Sequence, residues 1–485
     1  MLPNVKVTVT EEVNLSNSNL NTFLPLVIVK TKTGPIGTET LIKTSKSFND
    51  TFGTPDSSTP EAFGIAQYIK NYGNAYIVRV ANASASEGSG KITDDSTDLI
   101  SISTKYKTDS LNGIDVELNL DTDANKLYIT SNVGNKIITS IKETINYGTA
   151  KADELEKALN KVVSSFNDAQ NLFVLTNSFT GKTAEDTKPK AFTNIKGTIS
   201  GGISGNDSVL DTAVIEIIEK YRKSDLGIDA ILAPGFESAD VVNKLVSVAE
   251  DSSFIAIASV SGSTANAILG TASSYNFSSS LALYADKVYL YEDTSIEVPT
   301  CIAVLPAYIT KDKSSKWLAP AGVTRGTLSL VSGLVHPLSD SDLEDLYTSD
   351  KPVNGIKKIA GRGFIVWGQK TCASDNTEYQ DRINVVRLIK YLTKEVYSIS
   401  YDYLFEPITD YTYNSWTLRV EAILDEIKSG NGLSEYKVIM DDTLNTEETK
   451  KQNKLIGAVR LKPLEAAEYI EINFVVTDDV QGGNE

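Results

Sequence analysis

Histidine, cysteine and methionine are the scarcest informative side chains in this sequence of 485 residues, which contains one histidine, two cysteines and two methionines. Structural zinc takes four nitrogen or sulfur ligands, so this scarcity excludes His-rich and Cys-rich metal centres. A histidine-based acid–base mechanism would have to use His336 alone, and its place before Pro337 favours a structural or surface role. The cysteines, Cys301 and Cys372, are typical of a reducing compartment, and the sequence leaves a single disulfide between them open.

The chain also has fewer positive than negative charges and lacks long apolar runs. The chain has 46 lysines and arginines against 63 aspartates and glutamates, which gives a net charge of −17. Such a surface repels a phosphate backbone and an anionic bilayer, so we expect no direct nucleic-acid binding. The most apolar runs, such as residues 254–260, are far shorter than the ~20 residues of a membrane span. We therefore expect no membrane insertion, and the N-terminal residues predict no secretory signal.

The remaining composition, 41% hydrophobic and 22% charged, is that of an ordinary globular protein. Its patterning predicts a multi-domain chain of α/β and α+β class, with a central α/β sheet domain, an inserted β-rich domain and a C-terminal α+β domain. The predicted segments are an N-terminal arm made of a strand and a tether (1–22), an α/β segment that packs with the central domain (23–85), an inserted outer α+β domain (86–205), the central α/β domain (206–360), and a C-terminal domain with a terminal strand arm (361–485).

Continuous apolar strands alternate with amphipathic helices in the α/β parts of the chain. Strands are predicted at residues 24–29, 75–80 and 254–260, and a further strand starts at residues 230–232 and ends at Pro234-Gly235. Helices are predicted at 58–73, 211–223 and 239–250. This alternation is typical of a mainly parallel sheet covered on both faces. Between these parts, the Thr-, Asp-, Asn- and Lys-rich residues 90–200 are bounded by Gly/Ser stretches, as expected for an exposed insertion.

The chain is predicted to begin and end in strands. Val5, Val7 and Val9 alternate with polar residues, and the polar stretch 14–21 separates them from the next apolar run. Near the C-terminus, residues 468–476 alternate in the same way, with apolar side chains on one face at Ile470, Ile472, Phe474 and Val476. An isolated strand is not stable, so each of these arms must pair elsewhere.

Each motif test for an enzyme fails. The Gly181-Lys182-Thr183 step lacks the upstream glycine of a phosphate-binding loop, since Thr176 occupies that position. The Asp121 segment starts like a calcium loop but lacks its turn glycine and bidentate glutamate. Gly361-Arg-Gly363 lacks the third glycine of a dinucleotide fingerprint and fits a tight turn before a strand instead. We therefore predict no enzyme activity, no catalytic residues, no cofactor and no metal.

Three basic residues form a stripe on one predicted helix, although the chain as a whole is acidic. On the helix predicted over residues 382–397, Arg387, Lys390 and Lys394 fall at positions i, i+3 and i+7 and therefore share one face. The stripe is either a solvated helix face or a docking face for an acidic partner protein.

Several ordered segments resemble contractile phage tail sheath proteins. GIKKIAGRGFIVWGQKT followed by RINVVR is similar to the family's turn of the type G-I-x-x-W-G-x-R-T and the R-x-I-N-V-x-R helix after it. FEPITD, DDTLNTEE and WLAPAG resemble further family motifs in the same half of the chain, and VIVKTKTGPIGTETL with AYIVRV resembles the N-terminal part. The resemblance covers about residues 1–85 and 300–485, and Lys370 departs from it where arginine is usual.

The resemblance implies a structural subunit that polymerises as stacked six-fold rings around a tail tube, with neighbouring copies joined by terminal arms. Its partners would be other copies of itself, the tail tube protein, and the baseplate and tail terminator proteins. The assembly would lie in the virion tail, after formation in the cytoplasm of the host bacterium, and would contract to drive the tube through an envelope for DNA delivery. Under this resemblance, the two alternating strands are the natural arms and the basic stripe is a candidate tube contact.

Other interpretations remain open at this stage. The particle can be a contractile bacteriocin or another injection particle in place of a phage, and both arms can pair within their own subunit. An α/β enzyme around residues 208–305 and a surface-layer or adhesin protein are more remote alternatives.

Overall fold

A computed structural model describes residues 23–94, 97–121, 123–133, 136–146, 149–170, 172–180, 195–309, 316–374 and 379–471. The strands are β1 (Pro25–Val29), β2 (Glu39–Ile42), β3 (Ala75–Arg79), β4 (Ser89–Asp94), β5 (Thr97–Thr104), β6 (Asp115–Asp121), β7 (Lys126–Val133), β8 (Lys136–Thr144), β9 (Phe173–Asn177), β10 (Ile195–Thr198), β11 (Ala230–Leu232), β12 (Ile255–Val260), β13 (Leu281–Ala285), β14 (Lys287–Leu290), β15 (Glu297–Pro299), β16 (Val331–Leu334), β17 (Gly355–Ile359), β18 (Gly363–Trp367), β19 (Leu433–Ile439) and β20 (Ala458–Pro463). The helices are α1 (Ser45–Phe52), α2 (Pro60–Tyr72), α3 (Ala152–Ala169), α4 (Asp211–Glu219), α5 (Ala239–Glu250), α6 (Ala265–Ala272), α7 (Thr300–Ala303), α8 (Leu305–Tyr308), α9 (Gly322–Arg325), α10 (Asp340–Thr348), α11 (Ile383–Tyr401), α12 (Asp410–Ser429) and α13 (Glu447–Lys451).

The centre of the first compact unit is a six-stranded sheet in the order β13-β12-β11-β1-β3-β2. Neighbouring strands run parallel except β2, which pairs antiparallel with β3 at the edge. Strands β1, β12 and β13 are buried along their whole length, as expected for strands covered on both faces. The prediction of a mainly parallel, covered sheet and of a mixed α/β, multi-domain chain is confirmed.

Helices cover both faces of this sheet. Along β1, Val27 and Val29 face one apolar core that includes Ile65 of α2, while Leu26 and Ile28 face a second core that includes helices α4 and α5. Burying apolar surface on both faces is the dominant stabilising contribution to such a layered domain. Helix α4 ends earlier than predicted, because turns replace it after Glu219 and Lys223 adopts a positive φ of 55°.

The insertion has an apolar core of its own. It consists of the sheets β4-β5-β9 and β10-β6-β7-β8 and of helix α3, which packs on both with Leu155, Leu159 and Phe166. The segment that starts like a calcium loop is the β6–β7 turn, where Asp121 Oδ1 accepts a hydrogen bond from the Ala124 N–H at 2.8 Å. That carboxylate therefore caps a hairpin.

Arg79 of β3 joins the α/β core to the insertion. Its side chain is fully buried, and its Nη1 donates to the carbonyl oxygens of Gly34 at 3.0 Å and Lys107 at 2.7 Å. Its Nη2 donates to the carbonyl oxygen of Ser204 at 2.7 Å. Burial lowers the pKa of Arg79 to about 10, a value that still leaves it charged at neutral pH. One guanidinium group thus holds three separate chain segments together.

The hairpin β17–β18 lies entirely within the first compact unit. Its turn contains Gly361 and Gly363 with φ of 73° and 81°, so the glycine pair serves a tight turn, as predicted. The predicted boundary between residues 360 and 361 falls in this turn, and the two hydrogen-bonded strands keep both sides in one compact unit. The chain instead divides at 386/387: the first unit comprises residues 1–313 and 320–386, and the second comprises 314–319 and 387–485.

Candidate assembly surfaces

The second unit is built on helix α12 and a small sheet. Helix α12 begins earlier than the predicted residue 415, because Thr409 Oγ1 accepts a hydrogen bond from the Thr412 N–H and caps it. Its buried side chains Trp416, Val420 and Leu424 share an apolar core with residues of the antiparallel pair β19–β20. The α+β character predicted for this part of the chain is therefore present in the second unit.

The sheet β19–β20 has an apolar and a polar face. Tyr436, Val438, Val459 and Leu461 pack against the core. The alternate positions project to the other face, where Glu435, Lys437, Arg460 and Lys462 are exposed. Within the described part of the chain, no third strand pairs with either outer edge. Open edges present unpaired N–H and C=O groups and can accept an added strand.

Two of the motifs that carry the resemblance support this sheet. Asn445 of DDTLNTEE is fully buried; its Nδ2 donates to the carbonyl oxygens of Asp441 at 3.1 Å and Ile456 at 2.9 Å. Its Oδ1 accepts from the Ile456 N–H at 2.7 Å, which fixes the connection between β19 and β20. Trp317 of WLAPAG lies in the core of the second unit and donates from Nε1 to the Gly430 carbonyl oxygen at 2.8 Å.

Most of the residues predicted to form the two arms lie outside the described part of the chain. Val5, Val7 and Val9 fall outside the described residues, as do Ile472, Phe474 and Val476 (residues 1–22 and 472–485). Ile470 is described and is 76% exposed. Residues 464–471 form no strand, so the first part of the strand predicted at 468–476 is absent from the isolated chain. The physical reason is that an unpaired strand has no hydrogen-bond partner to stabilise it.

The basic stripe lies on helix α11, which continues to Tyr401, beyond its predicted end at residue 397. Arg387, Lys390 and Lys394 are all partly buried, and none of them is without an interaction partner in the chain. The stripe is therefore less solvated than a free helix face, and its predicted contact with a tube stays a prediction.

Phe405 is an exposed aromatic residue that the sequence interpretation did not single out. It belongs to the FEPITD motif, is 88% exposed and has a positive φ of 68°. Leu404 and Tyr411 nearby in sequence are exposed as well. A bulky side chain with positive φ is a strained exception. In the sequence, the place of Phe405 in the FEPITD motif was the only feature that pointed to this residue.

The surroundings of the one histidine and the two cysteines favour structural roles for these residues. His336 Nδ1 lies 2.9 Å from Asp286 Oδ2. Cys301 and Cys372 are free and buried, and burial raises the pKa of each thiol to about 12. Neither thiol is therefore suited to act as a nucleophile.

Within the described ranges, no group of three or more His, Cys, Asp or Glu side chains could hold a metal ion. Among the described helices, none is long and apolar enough to cross a bilayer.

Known proteins resemble this chain in sequence and in fold. It is 32% identical over 189 residues, 39% of its length, to the tail sheath protein of Vibrio phage KVP40, and 31% identical over 189 residues to that of Enterobacteria phage T4. The match spans 28% of the length of each of these relatives. No protein-family model matches the chain.

The structural likeness extends over almost the whole chain. A sheath tail protein from Listeria innocua aligns with a TM-score of 0.60 at 9% identity, over 93% of this chain and 97% of that one. A protein in the contracted sheath complex of PVC, an extracellular contractile injection system, aligns with a TM-score of 0.57 at 15% identity, over 99% and 98%. These relatives are structural sheath proteins by name and are not enzymes. The chain is therefore related in sequence to phage tail sheath proteins and has the fold of the sheath proteins of contractile particles.

Proposed function

We propose that this chain is the structural subunit of a contractile tail sheath, joined to its neighbours by the exchange of terminal strands. The observation that carries the proposal is the sheet β19–β20, which among the described residues has two strands and two open edges, in a chain with a sheath fold. The sequence supplies two candidate strands, one near each end of the chain. Two edges and two arms match in number.

Strand addition would complete the small sheet. An added arm gains continuous backbone hydrogen bonds along the edge, and its alternate side chains select the face on which they pack. The apolar side of each arm, Val5/Val7/Val9 or Ile470/Ile472/Phe474/Val476, would extend the apolar face of the sheet toward α12. Arms from other copies would tie the subunits into a mesh, while the polar residues 14–21 would let the bodies move relative to one another.

The mechanism is mechanical. Subunits would stack as six-fold rings around a tail tube, with contacts that repeat along the axis and do not close. A trigger from the baseplate would let the bodies rotate and repack in a state of lower free energy while the exchanged strands stay paired. The tube would then be driven through the bacterial envelope, and no nucleotide or cofactor takes part.

The remaining partners follow from this arrangement. The stripe Arg387, Lys390 and Lys394 would contact the acidic surface of a tube protein, and the ends of the sheath would meet the baseplate and tail terminator proteins. In a phage, the assembly would form in the host cytoplasm, become part of the virion tail and serve DNA delivery. The likeness to the PVC sheath supports a second candidate, an injection particle with the same subunit mechanics.

Negative-stain electron microscopy of the purified full chain, co-expressed with its tube protein where needed, tests this function. We expect hollow striated cylinders from the full chain and none from a variant lacking residues 1–20. A variant with Val174→Ser, an exposed change in the insertion, serves as the control and should assemble normally. Cylinders from the truncated variant would contradict the role of the N-terminal arm. Absence of cylinders from the full chain in the presence of the tube would contradict the sheath function.

A further inference from the structure

The loop between α11 and α12, residues 402–409, presents apolar side chains to solvent. Leu404 and Phe405 are exposed, and so is Tyr411 directly after the loop. Large apolar side chains that are exposed close together mark interaction surfaces of a protein. The loop is therefore a candidate docking element of the second unit.

The loop is held in place by contacts with α12. The hydroxyl groups of Tyr403 and Ser415 share a hydrogen bond of 2.8 Å, and Thr412 Oγ1 donates to the Pro407 carbonyl oxygen at 2.6 Å. These contacts fix the loop while Phe405 keeps its unfavourable positive φ of 68°. A loop that is already ordered loses little conformational entropy when it binds a partner.

The loop is also acidic. Residues 402–411 contain three carboxylates and no lysine or arginine. Asp402 pairs with Arg419 at 2.7 Å, whereas no ion pair among the described residues involves Glu406 or Asp410. A surface that fits this loop must therefore offer apolar side chains next to cations.

The polar face of the sheet β19–β20 offers this combination. Lys437 lies directly opposite Arg460, and the neighbouring pair on that face is Ile439 opposite Ala458. Ile439 and Ala458 are half-buried and do not belong to the apolar core on the other face. Like charges on directly opposed strand positions destabilise an isolated sheet. A carboxylate from a partner would relieve this repulsion.

The cations of this face are available to such a partner. Glu435 lies opposite Lys462, and Asp441 lies close to Lys437. Nevertheless, Lys437, Arg460 and Lys462 are exposed, and none of them forms an ion pair within the described ranges.

We propose that the loop 402–409 of one copy docks on the polar face of β19–β20 of a second copy. Phe405 lies on Ile439 and Ala458, and Glu406 lies beside Arg460. The dimensions agree: Ala458 and Arg460 are two residues apart on one strand, about 7 Å, and Phe405 and Glu406 are neighbours in sequence.

The occupant is a second copy because the two surfaces of one copy do not face each other. The apolar face of the sheet packs with α12, so the polar face points away from this helix, whereas the loop leads into α12. The contact is therefore heterologous and repeats from copy to copy in a ring or a helix. It uses a face of the sheet and leaves the edges free. The inference rests on the proposed function only in requiring a polymer of this chain.

Crosslinking between two variants of the full chain tests the contact directly. Leu404→Cys and Lys462→Cys are prepared separately, mixed and treated with a bismaleimide; the native Cys301 and Cys372 are buried. We expect dimers joined between positions 404 and 462, both in striated cylinders and, where none form, at high protein concentration. Val174→Cys in place of Leu404→Cys is the control and should give no such dimer.

The outcomes separate the contact from the sheath function. Absence of the 404–462 crosslink, or a crosslink from position 404 to a tube protein instead, would overturn the contact. A 404–462 crosslink in a chain that forms no cylinders with its tube would support the contact and contradict the sheath function.

Charge reversal tests the physical cause. Glu406→Arg and Arg460→Glu should each raise the concentration at which the full chain associates several-fold at low salt, as measured by sedimentation velocity, and their combination should recover most of the loss. Glu426→Arg, an exposed change near the other end of α12, is the matched control. At about 1 M salt, where charges are screened within ~3 Å, the differences should shrink. Equal association of Glu406→Arg and the control at low salt would overturn the role of charge.

Phe405→Gly tests the role of the aromatic side chain. Glycine adopts a positive φ without strain, so resistance of the variant to urea should not fall. Its association should weaken several-fold at low and at high salt, because an apolar contact is not screened. Unchanged association of this variant would overturn the placement of Phe405 on the second copy.

Discussion

Arg79 offers the sharpest test of how the insertion is held on the α/β core. In Arg79→Met, the chain keeps a long apolar side chain but loses three hydrogen bonds, to the carbonyl oxygens of Gly34, Lys107 and Ser204. A hydrogen bond to a charged group contributes about 1.5–3 kcal/mol. Relief from burying the guanidinium offsets part of the loss, so we expect a net destabilisation of about 3–5 kcal/mol, similar to breaking a buried ion pair.

Urea-induced unfolding, followed by circular dichroism, measures this loss of stability. Limited proteolysis adds a local readout, because the segments around residues 107 and 204 should become more accessible. Arg362→Met is the matched control: Arg362 is exposed in the β17–β18 turn, and its replacement should change stability by less than about 0.5 kcal/mol. If Arg79→Met proved as stable as this control, the guanidinium would not be the link between core and insertion.

Three further predictions concern single side chains. Asp56→Asn removes a carboxylate whose pKa is lowered to about 2, chiefly by a hydrogen bond from Lys32. That stabilisation is present above the unfolded pKa of about 4 and is lost as pH falls toward 2. When the free energy of unfolding is measured against pH, that of the variant should therefore fall less steeply in acid than that of the unaltered chain. At neutral pH the variant should lose less than about 1 kcal/mol, since the ion pair is at the surface. An equally steep fall in acid would contradict this. Both cysteines should react with a thiol reagent only after denaturation, because they are buried with a raised pKa; rapid labelling of the native chain would contradict their burial. Trp317→Phe should destabilise the second unit by about 1–3 kcal/mol in denaturant titrations, because it loses the hydrogen bond to Gly430 and part of its packing; unchanged unfolding would contradict that role.

The elements that could be predicted are those in which sequence pattern and environment agree. Helix α5 was predicted with the observed bounds, because it is an amphipathic helix behind the capping Ser238. Strand β11, a short apolar run, was predicted to start at the observed residue, Ala230, but it ends at Leu232, before the predicted end at Pro234-Gly235. The turn role of Gly361 and Gly363 also followed from local chemistry. These features depend on neighbours in sequence, and no distant contact overrides them.

Other features depend on distant contacts and left little trace in the sequence. Arg79 looks like one polar residue in an apolar strand, and only the fold reveals that three remote carbonyl oxygens surround it. The division of the chain at 386/387 was likewise hidden, because hairpin pairing keeps β18 with β17. On the polar face of β19–β20, Lys437 lies opposite Arg460 because of the strand register, which sequence patterns alone do not provide.

Neighbouring copies are proposed to complete the sheet β19–β20 by strand exchange. A cryo-electron microscopy reconstruction of assembled sheath, at a resolution that separates strands, tests it most directly. We predict four strands at this position in each subunit, with the two outer ones traced to the arms of two other copies. A sheet that remains two-stranded in the assembled particle, or whose added strands come from the same chain, would contradict the account.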